Sequence, residues 1–439
     1  MLSRLKGNPW AALTILSAGL FMTLLDVTIV NIAIPQLIDS LDASLDEALW
    51  VINAYVLVLG VLLIPAGRLG DIYGPRNVYV VGTALFTLAS AGCGLAQTPA
   101  QLIAARAFQG VGAALLTPQS LAIVLPLFPP ERRGSAFAVN GVIAGVASLA
   151  GPILGGVIVT HWDWRGIFFV NLPVGALAIA ATLLIVPDLR PGRRHRLDIT
   201  GVAIVTLGIL LVSVGLIDGQ RYDWGQVWSF VSIPLILVAG VGVLIGFVFH
   251  QRAKQGGGRE PLVPFALFRD RNYTIANFVG GALHLGMIGM FLPTTIYMQS
   301  VLGYSALEAG LFSMPISLVS MVCTPFVGRL VDRFGGKWIL LAGLATFAAG
   351  IALFALMAEV DSTGWTFMPS YFVTGLGVSA VFVPLFALAM GEVPPSLAGA
   401  ASGVLNTTRQ LGSVFGGAAV GALLQHELAA DLHDEATAR

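Results

Sequence analysis

Charge is what this chain lacks most. Of its 439 residues only 10% are Asp, Glu, Lys or Arg, against 56% hydrophobic residues and a mean hydropathy of +0.86. A water-soluble globule carries roughly a quarter of its residues as charges and needs them at its surface. That deficit excludes a soluble fold and makes lipid the solvent. Cysteine is also scarce: Cys93 and Cys323 lie far apart in different apolar runs, which excludes a disulfide framework and a thiolate metal site and leaves both as packing residues. No GxxxxGK[ST] phosphate loop, no cluster of ligands at metal spacing and no nucleophile beside a base is present. No enzyme chemistry, cofactor or metal is therefore expected. The formal net charge of zero says nothing by itself about partners, since in a membrane protein the location of charge matters more than its sum; no nucleic-acid partner is expected.

What the chain has in abundance is apolar runs of about 20 residues or more, each long enough at ~1.5 Å per residue to cross a ~30 Å hydrocarbon core. Backbone groups in lipid must pair within their own segment or within a closed barrel, and these runs far exceed a barrel strand. They are helices. Breaks at charged or Pro/Gly clusters predict thirteen of them, near 10–38, 48–67, 78–96, 100–127, 135–160, 166–187, 198–217, 227–250, 273–299, 308–328, 337–358, 366–390 and 398–424. The first run follows Arg4 and Lys6 as a signal peptide would, but it is too long and carries Asp26 at its middle, so it reads as a retained first helix.

Eighteen of the twenty-three Lys and Arg residues fall at the N-terminus or in the loops around 68–76, 132–133, 190–196, 252–271 and 329–337, while only Arg165 and Arg221 occupy the opposite loops. By the positive-inside rule the N-terminus is cytoplasmic and the acidic 39–47 stretch external. Arginine outnumbers lysine twenty to three, a bias of GC-rich bacterial genomes, and the expected location is a bacterial inner membrane.

Two of the basic loops repeat each other. GRLGDIYGPR (67–76) and GRLVDRFGGK (328–337) match at Gly67, Arg68, Leu69, Asp71, Gly74 and Arg76, each 261 residues before its counterpart, with Asp332 the partner of Asp71. Each copy joins the second and third helix of its half, which implies two homologous bundles in parallel repeat. The expected division is an N-terminal bundle over 1–190, a two-helix insertion with linker over 191–265, and a C-terminal bundle over 266–439 that lacks one helix of the six. The expected C-terminus is therefore external, with a further span or a second subunit completing the bundle.

Several positions point to chemistry. Asp26 sits mid-span, where an ionised carboxylate is costly unless it meets water, a partner or a proton. It is read as a proton-binding group, against the plainer alternative of an interhelical hydrogen bond. Arg106, Gln109, Gly110 and Ala113 share one face of the fourth helix at i, i+3, i+4 and i+7. Sequence does not say whether Arg106 reaches Asp26. On the fifth helix Gly141, Gly145, Ser148, Pro152 and Gly155 draw a nearly bare stripe, with Gly151 and Gly156 beside it, and the proline favours a bend. Ser402, Asn406, Arg409 and Ser413 form a polar stripe on the thirteenth helix, and His284 follows Asn277 and Gly281 on the ninth. Asn31 and Asn53 complete the cavity candidates, with packing as the rival reading. Asp71 is placed to cap amides and pair with Arg76 or a neighbouring arginine, latching the bundle ends, and Asp332 to do the same in the second bundle.

The loop signature GxLxDxxGxR, together with LDVTIVNIAIP (25–35), RAFQGVGAA (106–114), GPILGG (151–156), WRGIFFVNLPVG (164–175), LDITG (197–201) and ASGVLNTTRQLG (401–412), resembles the major facilitator superfamily, in its fourteen-helix drug:proton antiporter branch. The resemblance covers nearly the whole chain. It implies an all-α membrane fold, energy from a proton gradient, a role for Arg106 in proton transfer, and export rather than uptake through the signature at Gly145, Gly151, Pro152, Gly155 and Gly156. It also implies alternating access in a monomer, with amphipathic or cationic drugs, antibiotics or related metabolites as substrates. The rival expectations are an uptake carrier of the same fold and a sensor that does not transport.

Overall fold

The computed structural model describes residues 7–188, 197–257 and 260–438. Among these residues the architecture is all-α but for one hairpin. Thirteen long helices run through the described residues: α1 (Pro9–Leu41), α2 (Leu45–Tyr73), α3 (Pro75–Gly94), α4 (Pro99–Leu127), α5 (Arg133–His161) and α6 (Asn171–Ile185, after a single turn at Gly166–Phe169); α7 (Ile199–Ile217) and α8 (Ile233–Gly256); then α9 (Arg271–Ile296), α10 (Ala306–Phe334), α11 (Gly336–Met357), α12 (Met368–Met390) and α13 (Ala398–Ala438). Twelve are long and apolar enough to span a membrane. The exception is α13, whose stripe of polar residues lowers its hydropathy.

Local chemistry sets the helix ends. Ser44 and Glu47 form a capping box at the start of α2, and Ser305 and Glu308 form the same box at the start of α10. These boxes are separated by the same 261 residues as the loop signatures, so the internal repeat extends over the whole second helix of each half. At the other end of both helices the chain reverses within one residue. Gly74 and Gly335 take φ of +88° and +80°, a region open to glycine at little steric cost, which accounts for this glycine in both signatures.

Several expected boundaries move. The helices expected to end near 67 and 328 run on to Tyr73 and Phe334, so most of each signature read from sequence as a loop, Asp71 and Asp332 included, is the last turns of a helix. The helix expected from 227 begins at Ile233, because residues 226–232 form a short antiparallel hairpin of β1 (Gln226–Trp228) and β2 (Val231–Ser232). Asp223, Trp224 and Ser229 adopt positive φ, which breaks helical periodicity, and Ser232 then caps α8 ahead of Pro234 in its first turn. The polar segment after 424, read from sequence as a tail, continues α13 as helix to Ala438, in keeping with its Ala, Leu and Glu content. The loop arginines at 190–196, counted for orientation, lie outside the described residues.

Helices α1 to α6 pack on one another, as do α9 to α13, with α5 and α10 packed as heavily across the halves as within them. The halves meet along two seams, α5 against α10 and α2 against α13. Backbones touch on the second seam: a Cβ at Gly67 would sit 2.1 Å from the carbonyl oxygen of Gly399. Helix α7 lies over the α2–α13 seam, and α8 packs on its outer side. The insertion is anchored at the basic end, where the buried Asp198 caps α7 at Gly201 and takes hydrogen bonds from Gln251 and Lys254 of α8. Gln251 in turn accepts from the amides of Leu262 and Val263, tying down the linker that leads to α9.

Candidate functional site

Three groups of polar residues sit inside the apolar body. The first joins α1 to α4. Asp26 and Arg106 are both fully buried and form an ion pair through Asp26 Oδ2 and a guanidinium nitrogen. The Gln109 side-chain amide donates to Asp26 Oδ1 at 2.8 Å, its oxygen accepts from Arg106 at 2.7 Å, and Arg106 Nε donates to the Val51 carbonyl at 3.0 Å. The guanidinium also lies over the Tyr55 ring, 4.3 Å from its centroid. The i, i+3 spacing of Arg106 and Gln109 is what brings both to one carboxylate. Asn171 of α6 is the member that sequence reasoning left unassigned, although it lies within the quoted segment 164–175. It is buried, 3.5 Å from Asp26 Oδ1 and 3.1 Å from Ser90 Oγ.

Sealing an ion pair from water is costly, and the opposite charges together with the hydrogen bonds to their other polar atoms offset that cost here, with one terminal nitrogen of Arg106 left unbonded. Protonation of Asp26 would remove the charge that holds Arg106 and would free the contact between α1 and α4. Among the described residues Asp26 is the one acid near the middle of a span; the others lie at helix ends or in loops.

The second group is a pair of carboxylates at the basic end, each from one half capping a helix of the other. Asp71 on α2 accepts from the amides of Gly399 (2.7 Å) and Ala400 (2.8 Å) at the start of α13. Asp332 on α10 accepts from the amides of Gly134 (2.7 Å) and Ser135 (2.9 Å) at the start of α5, and from the Ser135 hydroxyl. Both place a negative charge on the positive end of a helix dipole. Of the two partnerships expected for Asp71, the one with Arg76 is not formed, since Arg76 donates to the Leu183 carbonyl, whereas Arg68, at 3.9 Å, is a neighbouring arginine that meets the other. One turn of helix brings Arg68 to the same face, whereas Arg76 lies beyond the bend at Gly74. Arg133 adds a further tie across the halves, donating to the Gly391 carbonyl at 2.8 Å.

The third group lines a cavity of about 360 Å³ between the halves, walled by α1, α4, α5, α9, α10, α12 and α13. His284, Asn406 and Arg409 reach it, with Asn140, Phe382 and Phe386. Asn31, Asn53 and Gln109 do not line it. Asn31 is exposed and bonds back to its own helix at the Val27 carbonyl, and Gln109 is turned to Asp26. Period alone placed these residues on a helix face without saying which neighbour that face meets. The α5 stripe divides in the same way. Gly141 and Gly145 lie against Thr324 and Met321 of α10, whereas Gly151 and Gly155 lie against Thr28 and Ile29 of α1. Pro152 falls inside α5 between these contacts, and a Cβ at Gly156 would meet nothing within 4 Å among the described residues.

A sequence profile described as Major Facilitator Superfamily matches residues 16–417. The chain is 36% identical to the multidrug resistance protein Stp of Mycobacterium tuberculosis over 417 residues, covering 94% of this chain and 75% of that protein. It is 33% identical to the tetracenomycin C resistance and export protein of Streptomyces glaucescens over 424 residues, covering 96% and 77%. Among solved structures, the proton:xylose symporter XylE superposes with a TM-score of 0.67 at 14% identity, covering 96% of this chain and 90% of that one, which is a likeness of fold.

Proposed function

Since the chain belongs to the major facilitator superfamily and is thus a multi-pass membrane transporter, we propose that it is a proton-coupled antiporter that exports small, largely hydrophobic molecules by alternating access. The observation that carries this reading is the buried Asp26–Arg106 pair: a titratable carboxylate at mid-span, sealed away from the cavity yet on the helices that wall it. Leu20 and Leu24 of α1 and Thr117 and Ser120 of α4 line the cavity, so a change in the bond between α1 and α4 moves two of its walls. Protonation of Asp26 on one side of the membrane and its release on the other would trade a proton for cargo. The carboxylate caps at the basic end close one access route, which is the cytoplasmic one if the charge distribution sets orientation.

Export rather than uptake is supported by the resistance and export proteins among the relatives and by the glycine and proline signature of α5. In this reading residues 1–190 and 266–439 rock as two bundles and 191–265 tethers them, in a bacterial inner membrane with the N-terminus inside. The protein purified into proteoliposomes tests it. An imposed pH gradient should drive movement of lipophilic drugs in the wild type, and Asp26→Asn should abolish it while the protein remains inserted and folded. Full gradient-driven transport by Asp26→Asn would overturn the assignment.

A further inference from the structure

The chain holds two arginines inside its membrane-spanning body, and among the described residues they differ in whether an acid meets them, although one terminal nitrogen of Arg106 is itself left without a hydrogen-bond partner. Arg106 has a carboxylate, a carbonyl and an amide oxygen, all from protein. Arg409 on α13 has no acid partner among the described residues. Its Nε donates to His284 Nε2 at 3.2 Å and one terminal nitrogen donates to Asn406 Oδ1 at 3.1 Å, both neutral acceptors. The histidine is itself committed, because its Nδ1 lies 2.9 Å from the Gly280 carbonyl and must donate there. That leaves Nε2 as an acceptor, the pattern of a neutral imidazole that orients the guanidinium and adds no charge. Two of the five N–H donors of Arg409 are thus used, the rest have no acceptor among the described residues, and Arg409 lines the central cavity.

Among the described residues the cavity wall contains no Asp or Glu, so Arg409 is the one formal charge among them. A lone cation in a low-dielectric wall raises the affinity of the site for an anion and opposes a second cation. Around it the wall is aromatic. The guanidinium lies 4.9 Å from the Phe386 ring centroid and 5.5 Å from that of Phe382, and Phe137 faces Phe386 at 6.0 Å. A volume of about 360 Å³ falls at the lower end of the ~300–1,000 Å³ of drug-sized pockets.

We propose that this cavity selects flat aromatic anions, with a carboxylate or phenolate of the cargo held by Arg409 and its rings laid against Phe382, Phe386 and Phe137. The proposal rests on the transport reading above and replaces the cationic cargo that family resemblance implies. Charge-assisted bonds to a planar guanidinium discriminate strongly against a neutral group of the same shape.

The test compares anthraquinone-2-carboxylate with anthraquinone-2-carboxamide, binding each to the purified full-length protein with no gradient imposed. The wild type should prefer the acid by about tenfold or more. Arg409→Gln should bring that ratio close to one by weakening the acid alone, and Arg409→Lys should restore part of it. Equal binding of acid and amide by the wild type overturns the proposal whether or not the variants fold, as does an unchanged ratio in Arg409→Gln. Acid preference without gradient-driven transport would refute the antiport reading and leave this one standing; gradient-driven export with no acid preference would do the reverse.

Discussion

Removing one of the two carboxylate caps at the basic end should open that end. In Asp332→Ala the amides of Gly134 and Ser135 lose the acceptor that they reach at 2.7 and 2.9 Å. Loss of an N-cap costs ~0.5–2 kcal/mol, loss of a favourable charge at a helix N-terminus a further ~0.3–1, and a buried amide left without a partner ~1–3. These terms overlap, and about 2–4 kcal/mol is a reasonable combined figure. The donors and the acceptor sit on opposite halves, so the whole effect falls on the state in which the ends touch; once they part, water serves both. At ~1.4 kcal/mol per tenfold change, the ratio of closed to open should drop by roughly 30- to 1,000-fold. Asp71→Ala should act alike through Gly399 and Ala400. Spin labels at Glu131 and Glu392, both exposed in loops of that end, report the separation by pulsed electron resonance, with Cys323 replaced and the buried Cys93 left in place. The expected result is a longer-distance population in each variant and a dominant one in the double variant. A distance distribution in the double variant that matches the wild type would refute the reasoning.

Two further expectations concern the insertion and the orientation. Burial raises the Asp198 pKa, but hydrogen bonds from Lys254, the Gly201 amide and Gln251 outweigh it and hold the carboxyl at about 2, below its ordinary 3.8. A depressed folded-state pKa contributes stability that is present above the unfolded value and fades as pH falls through the folded one. The anchoring of α7 to α8 should therefore be intact at neutral pH and weaken between 3.8 and about 2, seen as a falling melting temperature that Asp198→Asn no longer shows in that window. If the basic end is cytoplasmic, a cysteine at Asp42 should react with an impermeant maleimide in intact cells, and one at Glu131 only after permeabilisation; the reverse pattern would invert the assigned topology.

Properties that depend on the chain's own neighbours were legible in the sequence. The spans follow from runs of apolar residues, and the repeat is explicit in two loops that share Gly67, Asp71 and Gly74 with Gly328, Asp332 and Gly335. Even the face shared by Arg106 and Gln109 is a matter of helical period. The family resemblance rested on the same local segments. One repeat signal went unread, the capping boxes at Ser44 and Ser305, because each is only a two-residue pattern until both are seen on the same helix of each half.

What only the tertiary structure decided is which residue meets which. Asp71 was legible as a capping residue, but that it caps α13 and not its own turn depends on two helices, 328 residues apart in sequence at the bond to Gly399, crossing at bare glycine backbone. Asn171 joined Asp26 only when α6 closed against α1 and α3. Asn31 and Asn53 carried the same polar label as Asn406 and lay off the cavity wall, since a side chain's period gives its direction on one helix but not the neighbour standing there. The same holds for the two arginines. Sequence shows both within apolar spans, and only packing supplies an acid to Arg106 and, among the described residues, none to Arg409.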